Sequence, residues 1–275
     1  MTELSMETKI KLNNGVFIPQ LGVGTYQIND KKQLLQILQW AFEYGYRHVD
    51  TAKAYGNEAW IKDAINQSEL SREEIFITSK LSVKDQREGT TKTAVDESLK
   101  LLGVDYIDLY LIHWPVTGKW LEAWKVIEEM YQRGKMRAIG VCNCKVHHLE
   151  QLMNIAQVKP AVDQMEFNPL MQDYDTYHFC KDNEIAFEAW SPLGNGTLIK
   201  HPSICAIGEK YGKSAPQVII RWLLEKNIII FPKSLEEFML KENSEVFDFS
   251  LTAEEHEWID SLNENKRTGP DPDDF

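Results

Sequence analysis

Short strand-like runs alternate with longer stretches of helical period along most of the chain. The runs at 47–49, 75–79 and 106–112 are each followed at once by a chargeable side chain, and these are Asp50, Lys80 and His113. Strand-like runs separated by helical segments predict parallel strands joined by crossover helices. Because parallel neighbours end at the same edge of a sheet, we expect the three side chains to lie close together.

The same alternation continues on both sides of this region. Strands are predicted at 21–24, 136–141, 161–165, 185–189 and 228–231, and helices after Asp30 and at 90–102, 120–133, 146–155 and 174–181. Eight strand–helix units predict a single α/β domain over residues 1–275, with the architecture of a (β/α)8 TIM barrel. Further helical pattern at 202–225 and 252–262 predicts extra C-terminal helices.

Two terminal segments fall outside this repeat. Asn13-Asn14-Gly15 lies between the alternating residues of segment 8–19, which is a strong signal for a β-hairpin. We expect this hairpin to plug the bottom of the barrel. The tail at 268–275 has neither helical nor strand period, so we expect it to lie on the surface or fold over the barrel mouth.

Each of the three rim residues also has an ordinary structural explanation when it is taken alone. Asp50 could cap a helix, Lys80 could be a surface lysine and His113 could be a core histidine. However, Tyr55 follows the aspartate by only five positions. The four side chains together favour a shared site.

These four side chains suit the polarisation and protonation of a carbonyl group. A buried lysine is costly without a carboxylate partner, and Asp50 is the available partner for Lys80. A cation beside Tyr55 favours the phenolate, so we expect Lys80 to lower the tyrosine pKa from about 10 and to make it a usable general acid. His113 can donate to the carbonyl oxygen. No side chain can supply hydride, which therefore requires a nicotinamide cofactor.

Three parts of the chain resemble the signatures of the aldo-keto reductase superfamily. They are 48–52 (HVDTA) with 55–58 (YGNE), 107–115 (IDLYLIHWP) and 230–234 (IFPKS), and the likeness runs in the family's order from about residue 10 to the C-terminus. The resemblance implies an NADP(H)-dependent reductase of aldehydes and ketones, similar to the sugar-keto-acid, methylglyoxal and prostaglandin-type members. It implies that Tyr55 is the general acid and that Lys80 adjusts the pKa of Tyr55. It also implies that Asp50 pairs with Lys80 and that His113 orients the carbonyl.

The resemblance also implies which residues hold the cofactor and the substrate. The cofactor positions are Gly24, Thr25, Tyr26, Asp50, Cys142, Asn143, Gln164, Trp190, Ser191, Leu193, Lys233, Ser234, Glu242 and Asn243. Asn143 and Gln164 match the positions that hold the nicotinamide carboxamide, and Trp190 matches the ring that stacks under the nicotinamide. Cys142 and Cys144 replace the family's usual serine and phenylalanine, which weakens one carboxamide hydrogen bond. The substrate positions are Tyr26, Tyr55, His113 and Trp114.

Two of these assignments keep a structural alternative. Gly22-Val23-Gly24 lacks the third glycine of a dinucleotide fingerprint, so it does not indicate a Rossmann unit and could be a tight turn at the end of a strand. Trp190 could be an ordinary core residue, although the predicted end of strand seven at this point favours stacking.

The choice between the two nicotinamide cofactors depends on the segment after strand eight. Lys233 and Ser234 lie between a predicted strand and a helix, where a cation, a hydroxyl and free backbone N–H groups form a good 2′-phosphate site. Met239 stands where the family usually has an arginine, and Glu236 adds a negative charge. We therefore expect NADPH to be preferred over NADH, with NADH a weaker alternative.

Composition and charge narrow the remaining function classes. The chain has 275 residues, 43% of them hydrophobic, and a net charge of -12 without a basic stretch, which argues against a nucleic-acid groove. The N-terminus lacks the pattern of a signal peptide, and no apolar run is long enough to span a membrane. The cysteines at 142, 144, 180 and 205 form no paired framework. These features predict a cytoplasmic protein, and the resemblance implies a monomer.

Two short motifs could be taken for parts of a metal site. Cys142-Asn143-Cys144 lacks a second cysteine pair. His147 and His148 are adjacent on a predicted helix, where neighbouring side chains diverge by about 100°, so with Glu150 they are expected to be surface residues. We predict no metal ion.

Two other functions use the same architecture. One is a nucleotide-sensing barrel without turnover, and the other is an isomerase or aldolase in which Lys80 forms a Schiff base. The intact set of Asp50, Tyr55, Lys80 and His113 favours a reductase.

Overall fold

The computed structural model describes residues 4–275, which form a parallel barrel preceded by a two-stranded hairpin. The hairpin strands are β1 (Lys9–Lys11) and β2 (Phe17–Pro19). The barrel strands are β3 (Val23–Gly24), β4 (His48–Asp50), β5 (Phe76–Leu81), β6 (Ile107–Ile112), β7 (Met136–Cys142), β8 (Val162–Glu166), β9 (Ala186–Trp190) and β10 (Ile229–Ile230). The predicted (β/α)8 barrel is confirmed.

Helices surround the barrel. They are α1 (Lys31–Glu43), α2 (Glu58–Gln67), α3 (Val83–Glu88), α4 (Thr91–Leu102), α5 (Trp120–Gln132), α6 (Val146–Met153), α7 (Tyr174–Asp182), α8 (Pro202–Tyr211), α9 (Ala215–Glu225), α10 (Glu237–Ser244) and α11 (Ala253–Asp260). The start of α1 is set by Asp30, whose Oδ1 accepts from the Gln33 N–H at 2.7 Å. None of the helices in residues 4–275 is long and apolar enough to cross a membrane.

The two ends of the parallel sheet meet. Strands β3 to β10 follow one another in chain order, and a parallel bridge joins Leu21 to Ile230. The Gly22 N–H donates to the Ile230 oxygen at 2.7 Å, and the Ile230 N–H donates to the Gln20 oxygen at 2.9 Å. These bonds satisfy the backbone groups that an open sheet edge would leave unpaired.

The hairpin closes one end of the barrel, as the Asn-Gly signal predicted. Leu12 and Ile18 are buried and pack in one cluster with Phe76, Leu109, Leu111, Ala138 and other residues of the barrel strands. Gly15 takes the left-handed backbone, with φ at 87°, which a turn of this kind requires. Burial of Leu12 and Ile18 therefore fills the barrel end opposite the rim discussed below.

The carboxyl ends of three neighbouring strands bring the chargeable residues to one rim. Strands β4, β5 and β6 pair in parallel, with Asp50 opposite Thr78 and Lys80 opposite Leu111. Strand β5 continues through Lys80 to Leu81 instead of ending before the lysine. The lysine is thereby part of the rigid sheet, so its side chain starts from a fixed point inside the rim.

Candidate active site

A buried ion pair forms the base of the site. The Lys80 Nζ donates to Asp50 Oδ1 at 2.6 Å, to Asp50 Oδ2 at 2.7 Å and to the Thr51 backbone oxygen at 2.9 Å. Burial by itself lowers the pKa of Lys80, but the charge and hydrogen bonds of Asp50 outweigh it and raise this pKa. Lys80 therefore stays charged in a fully buried position, where three acceptors satisfy its three donors.

Tyr55 lies above this pair at the end of a short 3-10 turn, Lys53–Tyr55. The Lys80 Nζ is 5.2 Å from the centre of the Tyr55 ring. Burial raises the pKa of Tyr55 and the charge of Lys80 opposes this rise, with a net increase. Lys80 therefore acts in the expected direction, but the net pKa of Tyr55 stays above its ordinary value, because desolvation of the phenolate exceeds the attraction of the cation. Tyr55 keeps its proton at neutral pH.

His113 follows β6 and faces Tyr55, with 5.8 Å between the ring centres. Burial, and then the positive charge of Lys80, lower the pKa of His113 to about 3. The imidazole is therefore neutral at physiological pH, and it can donate one N–H to an oxygen without adding a charge to the site.

A hydrogen-bonded carboxyl group that the sequence analysis did not single out extends the network. Gln164 Nε2 donates to Asp50 Oδ2 at 3.0 Å and to Glu188 Oε2 at 2.8 Å. Glu188 is fully buried, its Oε1 has no partner among the described residues, and burial raises its pKa to about 8. Both amide hydrogens of Gln164 are thus engaged, while Gln164 Oε1 accepts one long hydrogen bond from Cys142 Sγ at 3.7 Å and keeps a second lone pair. The sequence signal was a lone acid inside an apolar strand.

Asn143, the other predicted partner of the nicotinamide carboxamide, is hydrogen-bonded to Trp190, the predicted stacking ring. Trp190 Nε1 donates to Asn143 Oδ1 at 2.8 Å, and Asn143 Nδ2 donates to the His113 backbone oxygen at 2.9 Å. Gly269 of the tail packs closely against the far edge of the indole. A Cβ added at this glycine would lie only 2.5 Å from Trp190 Cη2. Trp190 is half-buried rather than a core residue. The remaining lone pair of Gln164 Oε1 and this fixed, half-exposed ring fit the carboxamide and the face of a nicotinamide.

A second group of predicted residues lies where β3 and β10 meet. A Cβ at Gly24 would lie 2.7 Å from the Phe231 backbone oxygen, so only glycine allows this close approach. Thr25 Oγ1 donates to the Asp50 backbone oxygen at 2.9 Å. Lys233 Nζ donates to Gln27 Oε1 at 3.1 Å, and is 6.0 Å from the ring centre of Tyr26. Gly24, Thr25 and Tyr26 are thereby connected with Lys233.

The beginning of α10 fits an anionic group. Asn243 Nδ2 donates to the oxygen of the buried Ser234 at 3.1 Å, and no side chain caps the first turn of the helix. Uncapped N–H groups, the exposed Lys233 ammonium and the Ser234 hydroxyl lie within this short segment. Met239 is 37% exposed, and Glu236 is the exposed N-cap residue. The residues present therefore fit a phosphate, with Glu236 as an opposing charge.

Three predicted cofactor residues are not joined to these groups by side-chain hydrogen bonds in the described part of the chain. Ser191 donates instead to Asn195 Oδ1 at 2.9 Å, and Leu193 and Glu242 are half-buried. Ser191 and Leu193 directly follow Trp190, and Glu242 precedes Asn243 on α10.

Aromatic side chains and the C-terminal tail surround the mouth of the site. Tyr26 is 55% exposed, and its ring centre is 5.0 Å from that of Tyr55. Phe275 stacks on Trp114 at 4.3 Å, and its backbone oxygen accepts from Thr117 Oγ1 at 2.6 Å. A cavity of about 630 Å³ opens between Trp114, Phe275 and segment 82–97. The tail folds over the mouth, which is one of the two positions that its sequence allowed.

The geometry of the two adjacent histidines differs from the prediction. The ring centres of His147 and His148 are 4.0 Å apart rather than divergent, because both side chains turn toward Asp273 of the tail. They are in the first turn of α6, where His148 Nδ1 accepts from the Lys145 N–H at 3.2 Å. That hydrogen bond draws the His148 ring back along the helix.

Comparison with known proteins identifies the family. The aldo/keto reductase family model matches residues 20–264. The chain belongs to the aldo/keto reductase family. It is 46% identical over 274 residues to an uncharacterised oxidoreductase of Bacillus subtilis, and 43% identical over 271 residues to glyoxal reductase of the same organism, with 98% of both chains covered in each case. Bombyx mori aldo-keto reductase, solved in complex with NADP, matches with a TM-score of 0.90 and 32% identity over 98% of this chain and 97% of that chain.

In this aldo-keto reductase the recognised signature segments meet in space. Segments 48–58, 107–115 and 230–234 all contribute to the same rim. The chain is an NADP-dependent oxidoreductase of the carbonyl-reducing type.

Proposed function

We propose that this aldo-keto reductase reduces small aldehydes and ketones with NADPH, and that Tyr55 donates the proton. The observation that carries the proposal is the buried Lys80–Asp50 pair beneath a protonated Tyr55, beside a neutral His113. A site built for Schiff-base chemistry needs a neutral lysine, whereas Asp50 raises the pKa of Lys80 and keeps it charged.

Each side chain has one task in the proposed reaction. His113 donates an N–H to the carbonyl oxygen and sets its direction. NADPH, when bound, supplies hydride to the carbonyl carbon. The carbonyl π bond breaks as the carbon takes the hydride, and the oxygen takes the Tyr55 phenolic proton to give an alcohol. Lys80 stabilises the resulting phenolate, which regains a proton from solvent.

The carboxamide end of the nicotinamide is assigned to Gln164 and Asn143. Glu188 and Asp50 occupy both amide hydrogens of Gln164, so its oxygen would accept from the carboxamide NH₂. Trp190, fixed by Asn143 and by the tail, would cover one face of the ring and leave the other face toward Tyr55.

Lys233 and Ser234 are proposed to bind the 2′-phosphate that distinguishes NADPH from NADH. The exposed Glu236 opposes them, and Met239 lacks the charge of an arginine. Each of these two features should cost roughly 1 kcal/mol, or about fivefold in affinity. We therefore predict that NADPH binds more tightly than NADH by a narrow, salt-sensitive margin.

Fluorescence-quenching titrations with both cofactors at two salt concentrations test this margin. Met239→Arg should tighten NADPH roughly fivefold and leave NADH unchanged, whereas Met239→Leu is the uncharged control. Lys233→Ala should abolish the preference. Lys241→Ala, which removes an exposed lysine of α10, should preserve it. Equal or tighter binding of NADH by the wild type would overturn the assignment.

The substrate class is proposed to be small aldehydes and dicarbonyls. Glyoxal reductase is among the similar proteins, and the aromatic side chains of Tyr26, Trp114 and Phe275 surround the mouth. Loss of reduced-nicotinamide absorbance with glyoxal, methylglyoxal, a keto-sugar and an aromatic ketone, compared by kcat/KM, tests the proposal. Absence of turnover with every carbonyl, despite tight NADPH binding, would favour the nucleotide-sensing function.

We also propose a single-domain monomer that acts in the cytoplasm and binds no nucleic acid. The net charge of -12 supports the last point because phosphate backbones would be repelled. Light scattering after size exclusion tests the monomer, and a molar mass of twice 31.8 kDa would contradict it.

A further inference from the structure

A cluster of ligand-type side chains lies outside the reductase site, between α6 and the tail. Asp273 Oδ1 is 3.2 Å from His147 Nε2 and 3.7 Å from His148 Nε2. All three ligand atoms lie within 4.8 Å of one another. The aspartate comes from a segment about 125 residues distant in the chain, so the cluster exists only because the tail folds back.

The separations match those of ligands around one small cation. Zinc takes nitrogen and carboxylate oxygen ligands at about 2.0–2.2 Å in a tetrahedron, which places neighbouring ligand atoms roughly 3.3–3.5 Å apart. The two measured separations, 3.2 and 3.7 Å, lie on either side of that spacing.

The tail aspartate is already held in an orientation that suits a ligand. Lys145 Nζ donates to Asp273 Oδ2 at 2.7 Å. The other carboxylate oxygen, Oδ1, faces the two imidazole rings. Metal binding uses a deprotonated carboxylate and neutral imidazoles.

One hydrogen bond opposes binding. His148 Nδ1 accepts from the Lys145 N–H at 3.2 Å, which places the ring proton on Nε2. A metal on Nε2 moves that proton to Nδ1 and breaks this hydrogen bond. The loss of a single, long, partly exposed hydrogen bond is a small cost beside the gain from a three-ligand site.

Space for the remaining ligand is present. His147, His148 and Asp273 line one side of a cavity of about 500 Å³, whose other side includes Trp120 and Gln151. Water can enter this cavity and occupy the fourth position of a tetrahedral ion.

We propose that His147, His148 and Asp273 form a binding site for a divalent transition-metal ion of the zinc class. A bound ion would fasten the C-terminal tail to α6. Because Phe275, two residues further on, stacks on Trp114 at the mouth, the ion would hold the tail in its closed position.

Isothermal titration with zinc chloride, and the absorption spectrum with cobalt(II), test the site on the full chain. We expect one ion per chain and a tetrahedral cobalt spectrum without thiolate bands. His147→Ala and Asp273→Asn should each weaken zinc binding at least about tenfold, since loss of even an outer-sphere partner has that effect. His178→Ala on α7 and Cys205→Ser on α8 are matched controls and should bind zinc as the wild type does.

Unchanged zinc affinity in both ligand variants, or a thiolate band that Cys205→Ser removes, would overturn the proposed site. Melting curves recorded without metal are the control for folding of the variants. His147 is half exposed, so we expect its replacement to leave the core intact. Tail fastening is measured by release of Phe275 by a metal-independent serine carboxypeptidase. Zinc should slow this release at least severalfold in the wild type and not in Asp273→Asn; equal release rates would refute the fastening.

Discussion

Removing the charge of Lys80 should destabilise the protein more than removing both charges of the ion pair. In Lys80→Met the Asp50 carboxylate stays buried and keeps only the Gln164 N–H at 3.0 Å as a side-chain donor. Breaking a buried pair from one side costs about 3–5 kcal/mol, whereas replacement of both partners is often close to neutral. We expect a loss near that value for Lys80→Met, and a loss of about 1–2 kcal/mol for Lys80→Met with Asp50→Asn.

Urea unfolding of the wild type, both single variants and the double variant measures this coupling. If Asp50 takes up a proton in Lys80→Met, its pKa in the folded state exceeds the unfolded value. The folded state then binds more protons, so the stability of this variant should rise as the pH falls. Reductase activity should remain below that of the wild type in the double variant because Tyr55 has no cation beside it. Additive losses within about 0.5 kcal/mol would refute the coupled pair.

Three further outcomes follow from the site. The pKa of His113 near 3 predicts that kcat/KM for reduction shows no histidine ionisation between about pH 5 and 8; a step that His113→Asn removes would contradict a neutral imidazole. Glu188→Leu frees the Gln164 amide, so the KM for NADPH should rise by a factor severalfold larger than that by which kcat falls. Glu188→Gln should restore the KM for NADPH. Equal effects of both variants on kcat alone would exclude a positioning role for Glu188. In the reverse direction, Lys80→Met should move the rising limb of the pH profile for alcohol oxidation to higher pH, because Tyr55 is then the base and loses the cation that opposes its raised pKa. An unshifted limb would show that Lys80 does not influence the ionisation of Tyr55.

The barrel could be predicted because its strands are buried on both faces and its helices on one. Such strands appear as continuous apolar runs, such as 109–112, and such helices as a 3.6-residue period. Local chemistry set several boundaries: Asp30 caps α1, and Gly134, with φ at 73°, follows α5. The strand that carries Lys80 was predicted too short, because a lysine inside a strand has no apolar signal.

The features that could not be predicted depend on contacts between residues that are far apart in the sequence. Lys145 meets Asp271 and Asp273 across more than 120 residues of sequence, and no periodicity reports such a pairing. The effect of Lys80 on the Tyr55 pKa could be inferred from spacing, but the larger, opposing effect of burial could not, because the depth of burial is a property of the folded site. Glu188 was passed over since an acid on a strand is usually exposed, and only its contact with Gln164 reveals otherwise.

The role of Tyr55 as the proton donor is tested most directly by Tyr55→Phe, measured for both binding and turnover. This change removes one hydroxyl and keeps the ring that packs between Tyr26 and His113. NADPH affinity by fluorescence titration should stay within about twofold of the wild type, while methylglyoxal reduction should fall on the order of 10²–10⁴-fold. Turnover within a few-fold of the wild type, with NADPH binding intact, would contradict the assignment.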